Sequence, residues 1–430
     1  MRLLFLMSLI WPVLAFGQEQ VQDRFISRPV DHRLPQGEHF QLKYQVLKGE
    51  KVPNSAPVMF FLGNELGQNA DVLLKRQKQF GGEHDMIYVQ VDHRGYGSYA
   101  PGDQSFPAYV NPEEAVEDFD AVIQKLRAEF TGPVIVVGYS YSGGLAVKLA
   151  LAHPEDMALV VNSSGVLANP FVFDAHDRFI RQSWPQDLVK SLEGRVADLK
   201  PSALLDQTWR DRQLVEIGMV GTIQYASSQP IIPAFRAWEP KTAPEFVAAL
   251  RDVDAKHAGN VLNDFTNSQA VRQVSLADAQ TQKFHGRFYA YEQCFEIGTF
   301  YVSNGPTKLF SETEADYLDF CEQLFGRRPV VKPYIDLRPQ LASLKVPLIN
   351  VIGERDPWSE LGARPSDKLG CGENIFVPGG FHGPDRDSAD VTKQVIEAVF
   401  KYLPFAGHGP NCDRRMSKKG ETKVISPGKN

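Results

Sequence analysis

From Phe40 to Ser164, apolar runs of strand length alternate with segments of helical period. The runs are "FQLKYQVLK", "PVMFFLGN", "DMIYVQVDHRG", "PVIVVGYS" and "LVVNSSG", and between the third and fourth lies "NPEEAVEDFDAVIQKLRAEF". That segment predicts a helix with a full start signal: Asn111 as cap, Pro112 at the first helical position and acidic side chains in the first turn. Several strand runs are apolar at successive positions, as expected of strands covered on both faces. With helices between them, they predict an α/β fold whose largely parallel sheet is flanked by helices. From about Leu167 to Leu344 the period changes. "PQDLVKSLEGRVADLK", "DRQLVEIGMVGTIQYA" and "APEFVAALRDVDAKHAGNVL" are helical in pattern and strand-like runs almost vanish. Strands then resume with "VPLINVIGE" and "ENIFVPGG", followed by the helix "SADVTKQVIEAVFKYL". The expected organisation is a core made of residues 18–166 and 345–404, carrying an inserted helical cap over 167–344. No internal repeat is present. The polar, basic, aperiodic end "DRRMSKKGETKVISPGKN" predicts a mostly disordered tail over 405–430.

The stretch "PVIVVGYSYSGG" carries the first chemical signal. A strand entering a helix through a very tight turn needs small residues two positions before and two after the apex. The strand ends at Val137 and delivers Gly138 directly, which puts Ser140 at the apex of a nucleophile elbow and leaves Ser142 in place of the second glycine. A phosphate-binding turn would need Gly-x-Gly-x-x-Gly or a Gly-Lys-Ser ending, and neither is here. At the apex, Ser140 Oγ is presented at the carboxyl end of the sheet and the backbone N–H of Tyr141 faces a developing oxyanion. A serine nucleophile needs a base and the base an orienting acid, in the order Ser, acid, His on loops after late strands. "VPLINVIGERDPWSE" places Asp356 after one such strand and "ENIFVPGGFHGPDRD" places His382 after the next. His93, His153, Glu354 and Asp385 fit that order less well. A second oxyanion donor is expected from the loop after an early strand, near Asn64 or Glu65 in "LGNELG".

Composition narrows the partners. With 430 residues, 43% of them hydrophobic, and a net charge of -6, the chain is globular and has no basic field for nucleic acid. The start, "MRLLFLMSLIWPVLAFGQEQ", has one early positive charge, an apolar run from Leu3 to Phe16 and small residues at Ala15 and Gly17. This predicts a signal peptide over 1–17, too short for a spanning anchor, and no later run suggests stable membrane insertion. Export permits the four cysteines, Cys294, Cys321, Cys371 and Cys412, to pair. Of three connectivities, neighbour pairing closes the shortest loops. No cysteine and histidine spacing indicates a metal, and neither metal nor organic cofactor is expected. The single sequon, Asn162-Ser163-Ser164, falls on a core strand, a poor acceptor for sugar, which favours a periplasmic or extracellular bacterial protein over a lysosomal eukaryotic one. Peptide substrates are the expected partners, and homodimerisation is left open.

The set "GNELGQN", "DHRGYGSY", "GYSYSGG", "YAYEQCFEIGTFYV", "GERDPWSELG" and "PGGFHG" resembles the serine exopeptidases that include Pro-X carboxypeptidase and dipeptidyl peptidase II. The opening "RPVDHRLPQGEHFQLKYQV" and the histidine loop are also similar to those of secreted bacterial prolyl tri- and tetrapeptidyl aminopeptidases. The resemblance runs from about Phe25 to Leu403. It implies an α/β-hydrolase core, a cap that restricts the cleft to peptide ends, and cleavage beside proline or a small residue, with Ser140, Asp356 and His382 as the catalytic set. In the cap motif, Tyr289 stands where a Trp is usual and Glu292 where a Gln is usual. Tyr289 and Tyr291 would suit a flat apolar slot for a proline ring, and Glu296 would suit an α-amino group, favouring a di- or tripeptidyl aminopeptidase over a carboxypeptidase. The competing assignments are packed cap core for the tyrosines and an internal ion pair for Glu296. An esterase or lipase on the same fold, and a catalytically silent binding protein, are the alternative functions.

Overall fold

The structure, a computed structural model, describes residues 21–64, 68–81, 84–96, 109–199, 206–236, 287–330, 335–403 and 422–424. The predicted signal peptide, Glu65 and the helical run "APEFVAALRDVDAKHAGNVL" lie outside these residues. Nine strands form one sheet: β1 (Gln22–Pro29), β2 (His39–Leu47), β3 (Val58–Phe61), β4 (Ile87–Val91), β5 (Val134–Tyr139), β6 (Leu159–Ser163), β7 (Leu348–Gly353), β8 (Gly372–Val377) and β9 (Thr422–Val424). Their spatial order is β1-β2-β4-β3-β5-β6-β7-β8-β9. β1 and β2 pair antiparallel with their neighbours, and every pairing from β4 onward is parallel. This strand order, with helices on both faces, is that of an α/β-hydrolase core.

β3 shows how the two faces are filled. Its four apolar side chains alternate across the sheet, Val58 and Phe60 to one layer, Met59 and Phe61 to the other, all at most 1% exposed. Helices α2 (Pro112–Arg127) and α3 (Tyr141–Ala152) cover the first face through Phe119, Val122, Leu145 and Leu149. On the opposite face, α1 (Ala70–Phe80) contributes Leu73 and Phe80, and a C-terminal helix, Ala389–Tyr402, contributes Val391, Val395 and Val399. The start signal read at α2 is made as expected: the Asn111 side chain accepts the Glu114 N–H at 2.9 Å, and Pro112, Glu113 and Glu114 follow.

Among the described residues between Ser163 and Leu348, the sheet gains no strand. The described helices of this insertion are α4 (Ala175–Ser183), α5 (Gln186–Asp198), α6 (Gln207–Gln224), α7 (Arg287–Glu292) and α8 (Glu314–Phe325). α4, α5 and α6 build their own core around Trp184, Leu188, Leu192 and Met219, and Trp358 and Leu361 of the main domain join it. A second cluster unites Phe171, Phe300, Tyr317 and Phe320 around a disulfide between Cys294 and Cys321. Cys371 is also disulfide-bonded, and Cys412 lies outside the described residues. The C-terminal helices are α9 (Pro384–Asp387) and α10 (Ala389–Tyr402).

Three features differ from the sequence expectation. β1 was not expected, because its outward Phe25, 51% exposed, and charged neighbours hide the alternation of an edge strand. Two-residue ribbons lie within the insertion, Ala168–Asn169 against Ile335–Asp336 and Val172–Phe173 against Phe300–Tyr301, too short to leave a periodic signal. Within the stretch expected to be disordered, Thr422–Val424 adds to β8 as an edge strand in register with Asn374–Phe376. Edge addition draws on backbone groups, which a polar side-chain pattern does not reveal.

Candidate active site

The elbow is built as its residues require. Ser140 joins β5 to α3 with φ 55° and ψ -126°, a conformation uncommon for a residue with a Cβ. A Cβ on Gly138 would lie 2.1 Å from the Ser142 carbonyl oxygen, so this position admits only glycine. Ser140 N–H donates to the Ser163 carbonyl at 3.0 Å, and the Ser140 carbonyl accepts Gly143 N–H at 2.9 Å. Ser142 is buried. Its Oγ donates to the Tyr139 carbonyl at 2.9 Å and accepts the Tyr139 N–H at 3.0 Å, so its hydroxyl is committed to holding the turn. Ser140, at the apex, is only partly buried. The two serines therefore divide the elbow between them, one holding the turn and one presented by it.

Asp356 follows β7 and caps a 3₁₀ turn, Pro357–Glu360; its Oδ1 accepts Trp358 N–H at 3.0 Å. Its Oδ2 lies 2.8 Å from Nδ1 of His382, on the loop after β8. Both side chains are buried, at 0% and 2% exposure. A carboxylate accepting from Nδ1–H fixes the tautomer and leaves Nε2 as the ring's acceptor. The His382 backbone N–H donates to the Gln224 carbonyl at the end of α6, so the insertion also holds the histidine loop. Since β5, β7 and β8 run parallel, Ser140, Asp356 and His382 all follow the carboxyl ends of their strands, at one edge of the sheet.

The end of β6 ties these loops together. Beyond accepting Ser140 N–H, Ser163 donates its hydroxyl to Asp385, and Tyr139 donates its phenol to the other Asp385 oxygen at 2.8 Å. Ser164, with φ 49°, donates its N–H to Val351 of β7 at 2.9 Å and accepts Gly383 N–H on its Oγ at 2.8 Å. Asp385, a rival for the acid by sequence, thus holds the histidine loop against β5 and β6 and does not face His382. Burial raises its carboxyl above the usual range, against the two hydroxyls that stabilise its charged form. Of the other rivals, Glu354 accepts Gly379 N–H of the histidine loop at 2.7 Å, and His153 pairs with Glu117 on the surface. His93 is wholly buried. Its Nδ1 faces the Arg94 carbonyl at 2.8 Å, and desolvation lowers its pKa to about 4.

Residues 29–194 match the family model described as serine carboxypeptidase S28. Thymus-specific serine protease of Mus musculus is 23% identical over 399 residues, which cover 80% of this chain and 78% of that protein. These two matches support a serine peptidase of the S28 type. Similar solved structures include the proline iminopeptidase of Mycobacterium smegmatis, with 15% identity, a TM-score of 0.43 and coverage of 89% of this chain and 99% of that one. VinJ is similar at 14% identity, TM-score 0.46, over 89% and 99% of the two chains.

Tyr141, whose amide was expected to face the oxyanion, is the first residue of α3 and directly follows Ser140. Gly63 and Asn64 follow β3; a Cβ on Gly63 would meet the His93 backbone nitrogen at 2.4 Å, so the loop passes close against the end of β4. Glu65 lies outside the described residues. Of the expected substrate-binding residues, Tyr289 is partly buried and packs on the main core. Tyr291 departs from the expected slot. Its ring packs on Phe295 and Phe325 and its hydroxyl accepts from Arg327 at 2.6 Å, the surroundings of a cap-core side chain. Glu296, in the π-helical turn Gln293–Ile297, is partly buried, and burial pushes its carboxyl up to about 7. Neighbouring Glu113 pushes in the same direction, while Arg327 and Lys148 oppose it. The internal ion pair considered for Glu296 is not formed among the described residues. Sequence inspection marked Glu292 only as a departure from a family pattern, yet its carboxylate is wholly buried beside the elbow.

Proposed function

We propose that the protein is an exported exopeptidase of the S28 type that removes short N-terminal peptides ending in proline or a small residue. Ser140 attacks the scissile carbonyl carbon as His382 Nε2 takes the Oγ proton. The tetrahedral oxyanion collapses with cleavage of the C–N bond, and the imidazolium gives its proton to the leaving amine. Asp356 holds the imidazole and stabilises its charged form throughout. Water, deprotonated by His382, then attacks the acyl carbon; the bond to Ser140 Oγ breaks, the imidazolium returns its proton to Oγ, and the peptide acid leaves. The observation that carries this reading is the buried 2.8 Å contact between Asp356 and His382 at the same sheet edge as the left-handed Ser140.

Removal from the amino end is supported by Glu296, a partly buried carboxylate for which the structure provides no bonded cation among the described residues. An incoming ammonium would supply one. The test is digestion of proline-containing peptides with free or blocked termini, with products weighed by mass spectrometry. Short N-terminal products that vanish on acetylation are expected. Release of single C-terminal residues would reverse the direction, and hydrolysis of esters alone would replace the peptidase assignment with an esterase.

A further inference from the structure

Outside the proposed catalytic set, a buried polar group beside the elbow is Glu292, the last residue of α7. One carboxylate oxygen accepts the Tyr141 hydroxyl at 2.7 Å, and the other accepts the Tyr96 hydroxyl. His93 lies against both partners, with Nε2 3.8 Å from the Glu292 oxygen and 3.4 Å from the Tyr141 hydroxyl. Its Nδ1 contacts a carbonyl oxygen and therefore carries the proton of the neutral ring; Nε2 is then a lone pair. The Tyr141 proton is directed to Glu292. Glu292 and His93 are 0% exposed, Tyr96 is 2% and Tyr141 is 9% exposed.

The placement of these four residues gives the cluster its meaning. Tyr141 immediately follows Ser140 and bears the amide expected to face the oxyanion. His93 and Tyr96 lie on the loop after β4, against which Gly63 packs. Glu292 belongs to the insertion and precedes the turn containing Cys294, itself bonded to α8 through Cys321. One cap carboxylate therefore fastens the first residue of α3 and the loop after β4 at once. We infer that Glu292 is a positioning residue for catalysis, which holds Tyr141, and through it the oxyanion-facing amide, by a cap-to-elbow hydrogen bond. This rests on the serine-peptidase mechanism above. A displacement of that amide by a fraction of an ångström weakens a bond that matters most in the transition state, so the loss belongs in kcat.

The experiment compares Glu292→Leu, Glu292→Gln, Tyr141→Phe and the double variant Glu292→Leu/Tyr141→Phe, each confirmed as folded by circular dichroism. Steady-state kinetics use a peptide substrate, and the rate of Ser140 labelling by a fluorophosphonate is measured in parallel. Expected are a fall in kcat of about tenfold to a hundredfold for Glu292→Leu with KM within about threefold, a parallel fall in labelling rate, and recovery of most of that loss by Glu292→Gln, which still accepts a tyrosine proton. Tyr141→Phe, which removes one oxygen and tests the link without emptying the cluster, is expected to be slowed as well. The double variant should be no slower than the worse single, since both break one link. Unchanged kcat and labelling in a folded Glu292→Leu, or penalties that multiply in the double variant, would overturn the inference. If wild-type enzyme itself fails to label, or labels equally after Ser140→Ala, the underlying mechanism fails instead.

Discussion

At the residue scale the two serines of the elbow make separable predictions. Ser140→Ala should abolish turnover and fluorophosphonate labelling while leaving thermal stability close to wild type, since its Oγ is not needed to hold the turn. Ser142→Ala should do the reverse, losing two buried hydrogen bonds and about 1–3 kcal/mol of stability, read from a denaturant midpoint, while still labelling. Asp356→Asn should keep the fold but lower kcat by about 10³–10⁴, because an amide cannot favour the Nδ1–H tautomer as the carboxylate does. Glu296 supplies a pH prediction. Between its ordinary value near 4.5 and about 7, the folded chain retains a proton that the unfolded chain has released, so its contribution to stability declines as pH rises through that window. Its charge appears over the same rise. The ratio of kcat/KM between wild type and Glu296→Gln on a free-amine peptide should therefore increase as pH goes from 6 to 8; a ratio constant with pH would remove Glu296 as the anchor. The strand-end positions of Ser140, Asp356 and His382 were legible because each follows its own strand and such spacing is written in the chain. Glu292 and Asp385 were not, since their partners lie far away in sequence, with no periodic or short-range pattern joining them. Tyr291 was read towards substrate because an aromatic in a cap looks alike whether it lines a slot or packs on Phe295 and Phe325.

At the element scale, strands with two covered faces and helices with caps announced themselves, as β3 and α2 show. β1 and β9 did not, because edge strands present one face to water and draw on backbone pairing. The turn between α7 and α8 makes a prediction of its own. Its disulfide joins positions separated by 27 residues, and loop-closure entropy for that length corresponds to about 3.5 kcal/mol. Replacing Cys294 and Cys321 together with serine should lower the denaturation midpoint by an amount of that order. Because that turn carries Glu296 and directly follows Glu292, the double serine variant should also lose activity below the temperature at which the main sheet melts.

At the scale of the whole molecule, the strands that bear Asp356 and His382 join a sheet begun long before them. β7 lies against β6, yet the entire insertion separates the two along the chain. Contacts of such sequence separation form late and slow folding. A growing chain can therefore shape its serine turn well before it owns a base or an acid to activate it. On the proposed mechanism, the nascent chain thus holds Ser140 without Asp356 or His382 until the sheet is nearly complete.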